Sequence, residues 1–310
     1  MPLHPDAIEA IRLAGDLPAH LPPPELRRVY EEQRMRLLPS PLPIASAQEQ
    51  EIPSRGGPLK VRIYRPLAQQ PGAPLMVFFH GGGWMVASLR SYDTPCRRLA
   101  AKAGCVVVSV DYRLAPEHRF PAAVDDAWDA FVWCADHAAE LGADPRRLVV
   151  CGDSAGGNLA AVVAQQCLDD GRCAVALQVL IYPSTDMTRS WPSFERNAHG
   201  NMLTTSALQM FIEQYVPDPT DRRDPRASPM QRPDCRGLAP ALILSAEFDP
   251  LVDENEAYAR KLEADDVPVT YISFPGMIHP FFTLGGVIRD AEKLEDQIAG
   301  AIRRLGPGRT

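Results

Sequence analysis

Four segments of the chain carry residues that could do chemistry together: FFHGGGW, CGDSAGG, AEFDPLVDE and FPGMIHPFF, in that order. They contribute a glycine-rich loop, a serine, an acid and a histidine, the inventory that acyl transfer requires. A serine hydroxyl is a poor nucleophile near neutral pH, so a neutral imidazole has to take its proton during attack. Ser154, flanked by Gly152 and Gly156, is the candidate nucleophile. Gly-x-Ser-x-Gly alone also fits an ordinary turn, because glycine and serine populate turns freely. At a strand-to-helix junction the same pattern makes a nucleophile elbow, with glycines where no larger residue fits. Of the seven histidines, His279 follows a strand-like run late in the chain and after a candidate acid. That acid is Asp249, which would hold the imidazole in its productive tautomer and stabilise the charged form. Asp249-Pro250 equally suits a plain helix N-cap with proline at N1, and the two roles do not exclude each other. Asp153, adjacent to the serine on a tight elbow, is read as structural.

Negative charge gathers on the acyl oxygen as its carbon becomes tetrahedral, and backbone N–H donors stabilise it without reorganising. Gly81, Gly82 and Gly83 would let a backbone come close with no Cβ in the way, although a triple glycine also makes a plain flexible loop. The N–H of Ala155, at the start of the helix after Ser154, lies where helix termini leave donors unpaired.

These side chains need a scaffold that delivers them to one place. PLMVFFHGGG, CVVVSVDYR, RRLVVCGD, ALQVLIYPS, ALILSAEFD and VPVTYISFPG read as short apolar strands. Helical segments separate most of them, among them DTPCRRLAAKAG, AVDDAWDAFVWCADHAAELG and DENEAYARKLEADD. That alternation means a parallel sheet covered on both faces, and in such sheets reactive groups collect where strands end. Ahead of it, AQEQEIP and LKVRIYRP, parted by SRGGP, predict a hairpin. Two helices are predicted earlier still, in HPDAIEAIRLAG and PPELRRVYEEQRMRLL. The second places Leu26, Val29 or Tyr30, Gln33 and Leu37 on one face, with its charges on the other. GVIRDAEKLEDQIAGAIRRLG closes the chain as a further helix. The interval from Ser184 to about Leu238 is too long for a simple connection and contains a predicted helix, Thr205 to Tyr215. Connections of that length are commonly lids or binding elements.

Composition sets outer limits. The 310 residues are 45% hydrophobic and 23% charged, ordinary for a globular protein with a large core. A net charge of -7 argues against nucleic acid as a partner. Many of the 31 prolines fall in PAHLPPPEL and LLPSPLPI, so the first fifty residues are broken into short pieces. The start, MPLHPDAIEAIRLAG, lacks a basic region leading into an apolar one, so no signal peptide is expected. No run of about 18 apolar residues is present to insert in a membrane. The seven cysteines are odd in number and include no Cys-x-x-Cys pair, which fits a reduced, cytoplasmic protein without a zinc site. Cys105 and Cys151 lie in apolar runs and read as small hydrophobes.

The segments HGGGW (80–84), VSVDYRLAPEHRFPAAVDDA (108–127), CGDSAGGNLA (151–160), DPLVDE (249–254) and PGMIHPFF (275–282) together resemble the hormone-sensitive-lipase-like branch of the α/β-hydrolases, a group of bacterial esterases and their relatives. The order serine, acid, histidine is that of the superfamily, and the likeness runs from about residue 75 to the end. It implies an α/β fold, a mostly parallel sheet flanked by helices under an α-helical cap. Carried over, it makes Ser154 the nucleophile, Asp249 the acid and His279 the base. The oxyanion hole would come from Gly82, Gly83 and Ala155, with Gly81 shaping the turn. Tyr112, Arg113 and Glu117 match a segment that braces such sites. Residues 1–45 would form an N-terminal cap segment, 46–184 the first part of the core, 185–238 a second cap segment and 239–310 the rest of the core. Trp84 replaces a phenylalanine frequent in relatives, and Pro280 a glycine.

The resemblance implies a serine carboxylesterase acting on short- to medium-chain acyl esters, with no cofactor or metal and a small-molecule ester as partner. Trp84, Met202, Leu203, Met210 and Phe211 are candidates to line its pocket, or simply helix-packing residues. An amidase, lactonase or deacetylase would use the same triad. A receptor on this scaffold, like the plant gibberellin receptors, typically lacks a triad residue that is present here. Relatives often pair through the last edge strand, here VPVTYISF, which leaves a homodimer open; an exposed edge can equally be covered or blunted.

Overall fold

The SRGGP segment turns between strands β1 (Ser46–Ile52) and β2 (Leu59–Arg65), which pair as the expected antiparallel hairpin. Six further strands follow: β3 (Ala73–Phe79), β4 (Val106–Val110), β5 (Ala143–Asp153), β6 (Val175–Ile181), β7 (Ala241–Phe248) and β8 (Val269–Ile278). The computed structural model describes residues 2–15, 17–18, 21–188 and 191–306, and among them these strands form one sheet in the order β1-β2-β4-β3-β5-β6-β7-β8. From β4 to β8 every neighbouring pair is parallel, and β2 joins β4 antiparallel. Every residue of β3 and β4 is buried. Their apolar runs, interrupted only by Ser109, are what a strand covered on both faces needs. At the opposite extreme Gln48 to Glu51 of β1 are exposed, a polar edge that discourages further pairing.

The helices are α1 (Pro5–Ala14), α2 (Pro23–Met35), α3 (Asp93–Ala103), α4 (Ala122–Asp136), α5 (Ala155–Asp170), α6 (Ser193–Arg196), α7 (Thr205–Tyr215), α8 (Val252–Ala264) and α9 (Asp290–Arg303). Over the sheet α3 packs on α9 and α4 on α5. Between β6 and β7 the chain makes α6, α7 and two 3-10 turns, Asp221–Arg223 and Pro229–Gln231, so the long interval is structured. His4 N–H donates to Gly276 O at 3.0 Å, seating α1 beside the last strand.

Two expectations need correction. The last strand extends two residues past the predicted VPVTYISFPG: β8 runs on from Pro275 and Gly276 to Ile278 and ends immediately before His279. A register shift opposite Ala246 and Phe248 accommodates the extra length, and Gly276 N–H donates to Glu247 Oε2 at 2.8 Å. Proline is tolerated there because β8 is an edge strand. Nor do the charges of α2 all face solvent. Arg27 donates to Met85 O (2.7 Å), to Ala115 O (2.9 Å) and to the Glu117 carboxylate. Arg34 Nη1 is sealed from solvent. Long basic side chains can run along a helix and deliver their charge inward, which a face-by-face reading misses.

Candidate active site

β5 delivers the serine. The strand ends at Asp153, α5 begins at Ala155, and Ser154 between them has φ 56° and ψ −117°. A non-glycine residue held there is strained by roughly 1–3 kcal/mol, a feature that clusters at functional sites. The flanking glycines are steric necessities. A Cβ on Gly156 would overlap the backbone carbonyl of Phe79, and one on Gly152 the carbonyl of Gly156. The elbow is tied below by Ser154 N–H to Ile181 O at 2.8 Å. Asn158 holds α5 to the β6–β7 interval through Ser184 O (2.8 Å) and Ala227 O (2.7 Å).

β7 and β8 deliver the other two groups. Asp249 follows β7 and is fully buried. Its Oδ2 lies 2.7 Å from His279 Nδ1, while Oδ1 accepts from Leu251 N–H at 2.8 Å. That bond steadies the turn ahead of α8, but the helix starts at Val252 with Leu251 at its N-cap, so Asp249-Pro250 precedes the helix and does not cap it. His279 Nε2 is 2.8 Å from Ser154 Oγ. With Asp249 accepting a hydrogen bond from Nδ1–H, Nε2 is left to accept from the hydroxyl. Tyr182 packs against the imidazole, ring centroids 4.6 Å apart. Residues 30 and 125 positions apart in sequence meet because three parallel strands end at one rim.

β3 delivers the glycine loop. Gly81 N–H donates to Asp153 Oδ1 (2.9 Å) and to Tyr92 OH (3.1 Å), and Tyr92 OH donates to Asp153 Oδ2 (2.8 Å). Asp153 is therefore a brace for the loop, as its place in the sequence suggested. Burial pushes its carboxyl up to about 6 even though both hydrogen bonds favour the ionised form. Burial likewise holds the His80 imidazole below its ordinary range, and Tyr112 stacks on that ring at 4.3 Å while donating to His80 O at 2.7 Å. Arg113 pairs with the buried Asp126 (2.8 Å) and Glu117 with Arg27. Among the described residues none accepts from the N–H of Gly82, Gly83 or Ala155.

A cavity opens above these groups. Ser154, His279, Gly82 and Gly83 form part of its wall, with Trp84, Met202, Leu203 and Phe211. Trp84 also stacks flat on Tyr215 of α7, 4.7 Å between centroids. Met210 is not part of that wall; it is half-buried against the core. Its neighbour Phe211 takes the inward position, one residue being about 100° of helix rotation. Tyr30 and Arg34 of α2 do line the cavity, and neither was singled out from sequence as a site residue. Their i, i+4 spacing on the stripe begun by Leu26 was the available signal.

Residues 76–283 match a family model described as alpha/beta hydrolase fold. An ethyl acetate hydrolase of Pseudomonas putida is 42% identical over 306 residues, 94% of this chain and 96% of that protein. A carboxylesterase of Mycobacterium tuberculosis is 39% identical over 87% of each chain. Among solved structures, a hyperthermophilic esterase from Pyrobaculum calidifontis superimposes with a TM-score of 0.91 at 39% identity, covering 98% of this chain and 99% of that one.

Proposed function

Since this chain belongs to the α/β-hydrolase family, we propose that it is a serine carboxylesterase hydrolysing short- to medium-chain acyl esters through an acyl-enzyme. Ser154 Oγ attacks the ester carbonyl as His279 Nε2 takes its proton. Asp249 holds the imidazole and stabilises it once charged. The oxyanion is received by the N–H groups of Gly82, Gly83 and Ala155, each such donor being worth about 3 to 4 kcal/mol. His279 then protonates the departing alcohol, and water repeats the cycle on the acyl-enzyme. The observation carrying this reading is the pair of short contacts, 2.8 Å and 2.7 Å, that chain Ser154 to His279 and His279 to Asp249 at the floor of a cavity. The short acyl range is supported by the similarity to an ethyl acetate hydrolase.

Residues 1–45 and 185–238 act in this reading as the cap. Supporting it, Tyr30 and Leu37 on one side and Leu208 and Phe211 on the other share a cavity wall with Ser154. Among the described residues no helix is long and apolar enough to cross a membrane, and the odd cysteine count supports a reducing, cytoplasmic setting. The half-exposed edge β8 is the face through which a homodimer would form.

Hydrolysis of p-nitrophenyl esters from acetate to palmitate, by the wild type and by Ser154→Ala, tests the proposal. The expected result is a maximum at short acyl chains and a fall of about 10⁴-fold or more in the variant. A folded wild type inert across the series would overturn it.

A further inference from the structure

We infer that Arg34 selects esters carrying a carboxylate, which its guanidinium receives inside the cavity onto which Ser154 opens. The inference rests on the esterase reading and names the substrate class that reading leaves open. Arg34 lies on α2 and lines the same cavity as Ser154 and His279. Its Nη1 is sealed from solvent and has no hydrogen-bond partner. The Tyr30 ring packs 5.0 Å from the guanidinium carbon. Arg27 and Arg28 on the same helix are paired with Glu117 and Glu32, whereas no carboxylate among the described residues forms an ion pair with Arg34. Asp153, whose charge it feels, has both oxygens engaged by Gly81 N–H and Tyr92 OH.

Arg34 is half-buried with Tyr30 as its neighbour, and its sealed Nη1 is a donor left unsatisfied, which is costly unless a ligand completes it. Two further cavity-wall atoms, Trp84 Nε1 and Ser184 Oγ, are buried without partners as well. The rest of the wall includes Leu37, Leu203, Leu208 and Phe211. One planar cation in an apolar chamber matches a monoanion on a short aliphatic chain. A guanidinium fits a carboxylate through two parallel N–H donors. A site built to bond an acceptor discriminates against the analogue that lacks it.

The test uses the full chain in a pH-stat at about pH 8, where a carboxylic acid is ionised. The substrates are methyl pentanoate, monomethyl glutarate and dimethyl glutarate. In Arg34→Met the kcat/KM ratio of monomethyl glutarate to methyl pentanoate should drop at least about tenfold, mainly through KM. Arg34→Lys, which keeps the charge, should retain most of it. The ratio for dimethyl glutarate should move less than about threefold. An equal loss on all three esters would mean that the guanidinium only supports the fold. If the dimethyl ester follows the monomethyl ester, the charge is irrelevant and the inference fails. A wild type inert on all three would count against the esterase reading alone. Calorimetric binding of glutarate, expected for the wild type and lost in Arg34→Met, would still decide the role of Arg34, and no binding to the wild type would overturn it.

Discussion

Asp153 adjoins Ser154 in sequence, yet its two oxygens are occupied by Gly81 N–H and Tyr92 OH. Burial raises its carboxyl to about 6, above the ~3.9 of an unfolded chain. Between those values the native state holds a proton that the unfolded state has released. Its contribution to stability is therefore greatest below about pH 4 and is lost as pH rises through 6, on the order of 3 kcal/mol in all. Asp153→Asn keeps an acceptor for Gly81 and removes the titration. Denaturant unfolding at several pH values should show the wild type losing stability relative to the variant from about pH 4 to 6 and no further above. A constant difference across that range would exclude Asp153 as the titrating group. At this scale the meeting of Ser154, Asp249 and His279 was legible because acyl-transfer chemistry draws on few residue types at strand ends. Arg34 was not, because whether a helical arginine turns inward depends on what packs beneath it. Met210 and Phe211 differ by one position, and only the seat of α7 decides which of them meets the cavity.

The elbow is a property of two elements together. Gly156 lies in the first turn of α5, and the carbonyl that excludes a Cβ there belongs to Phe79 of β3. Gly156→Ala should therefore destabilise the protein by about 3 kcal/mol or more, or abolish soluble expression, because backbone has to move. Gly104 provides the contrast. It caps α3 at φ 64° with open space around it, so Gly104→Ala should cost only about 1 kcal/mol of conformational strain. Urea midpoints for the two variants separate steric exclusion from backbone strain; equal losses would contradict the packing argument. The strands were readable because burial on both faces forces unbroken apolar runs. The end of β8 was placed at Gly276, two residues short, because the sequence does not reveal the register shift opposite Ala246 and Phe248 that carries the strand to Ile278.

Across the whole molecule, several polar contacts tie residues 1–45 to the rest, among them Glu31 to Ser88, Ser40 to Arg98 and Asp6 to Arg289. Of the described side chains in that segment, Arg27 makes the most such bonds. Its guanidinium reaches Met85 O, Ala115 O and Glu117, so one side chain joins α2 to the segments following β3 and β4. Arg27→Met should leave the sheet intact but loosen α2. Limited proteolysis should then cut within residues 1–45 severalfold faster than in wild type, while the remainder stays resistant. Uniformly faster digestion would mean that Arg27 supports the core instead. The presence of early helices and of a long interval before β7 was legible from proline breaks and loop length, but their docking was not, since it depends on contacts between distant segments. His4 N–H bonds to Gly276 O, and Asp6 pairs with Arg289 at 3.0 Å. Helix α1 is therefore seated on residues that a ribosome makes long after it. A nascent chain short of Gly276 offers α1 no such berth and has no His279, so Ser154 is synthesised long before its imidazole partner exists.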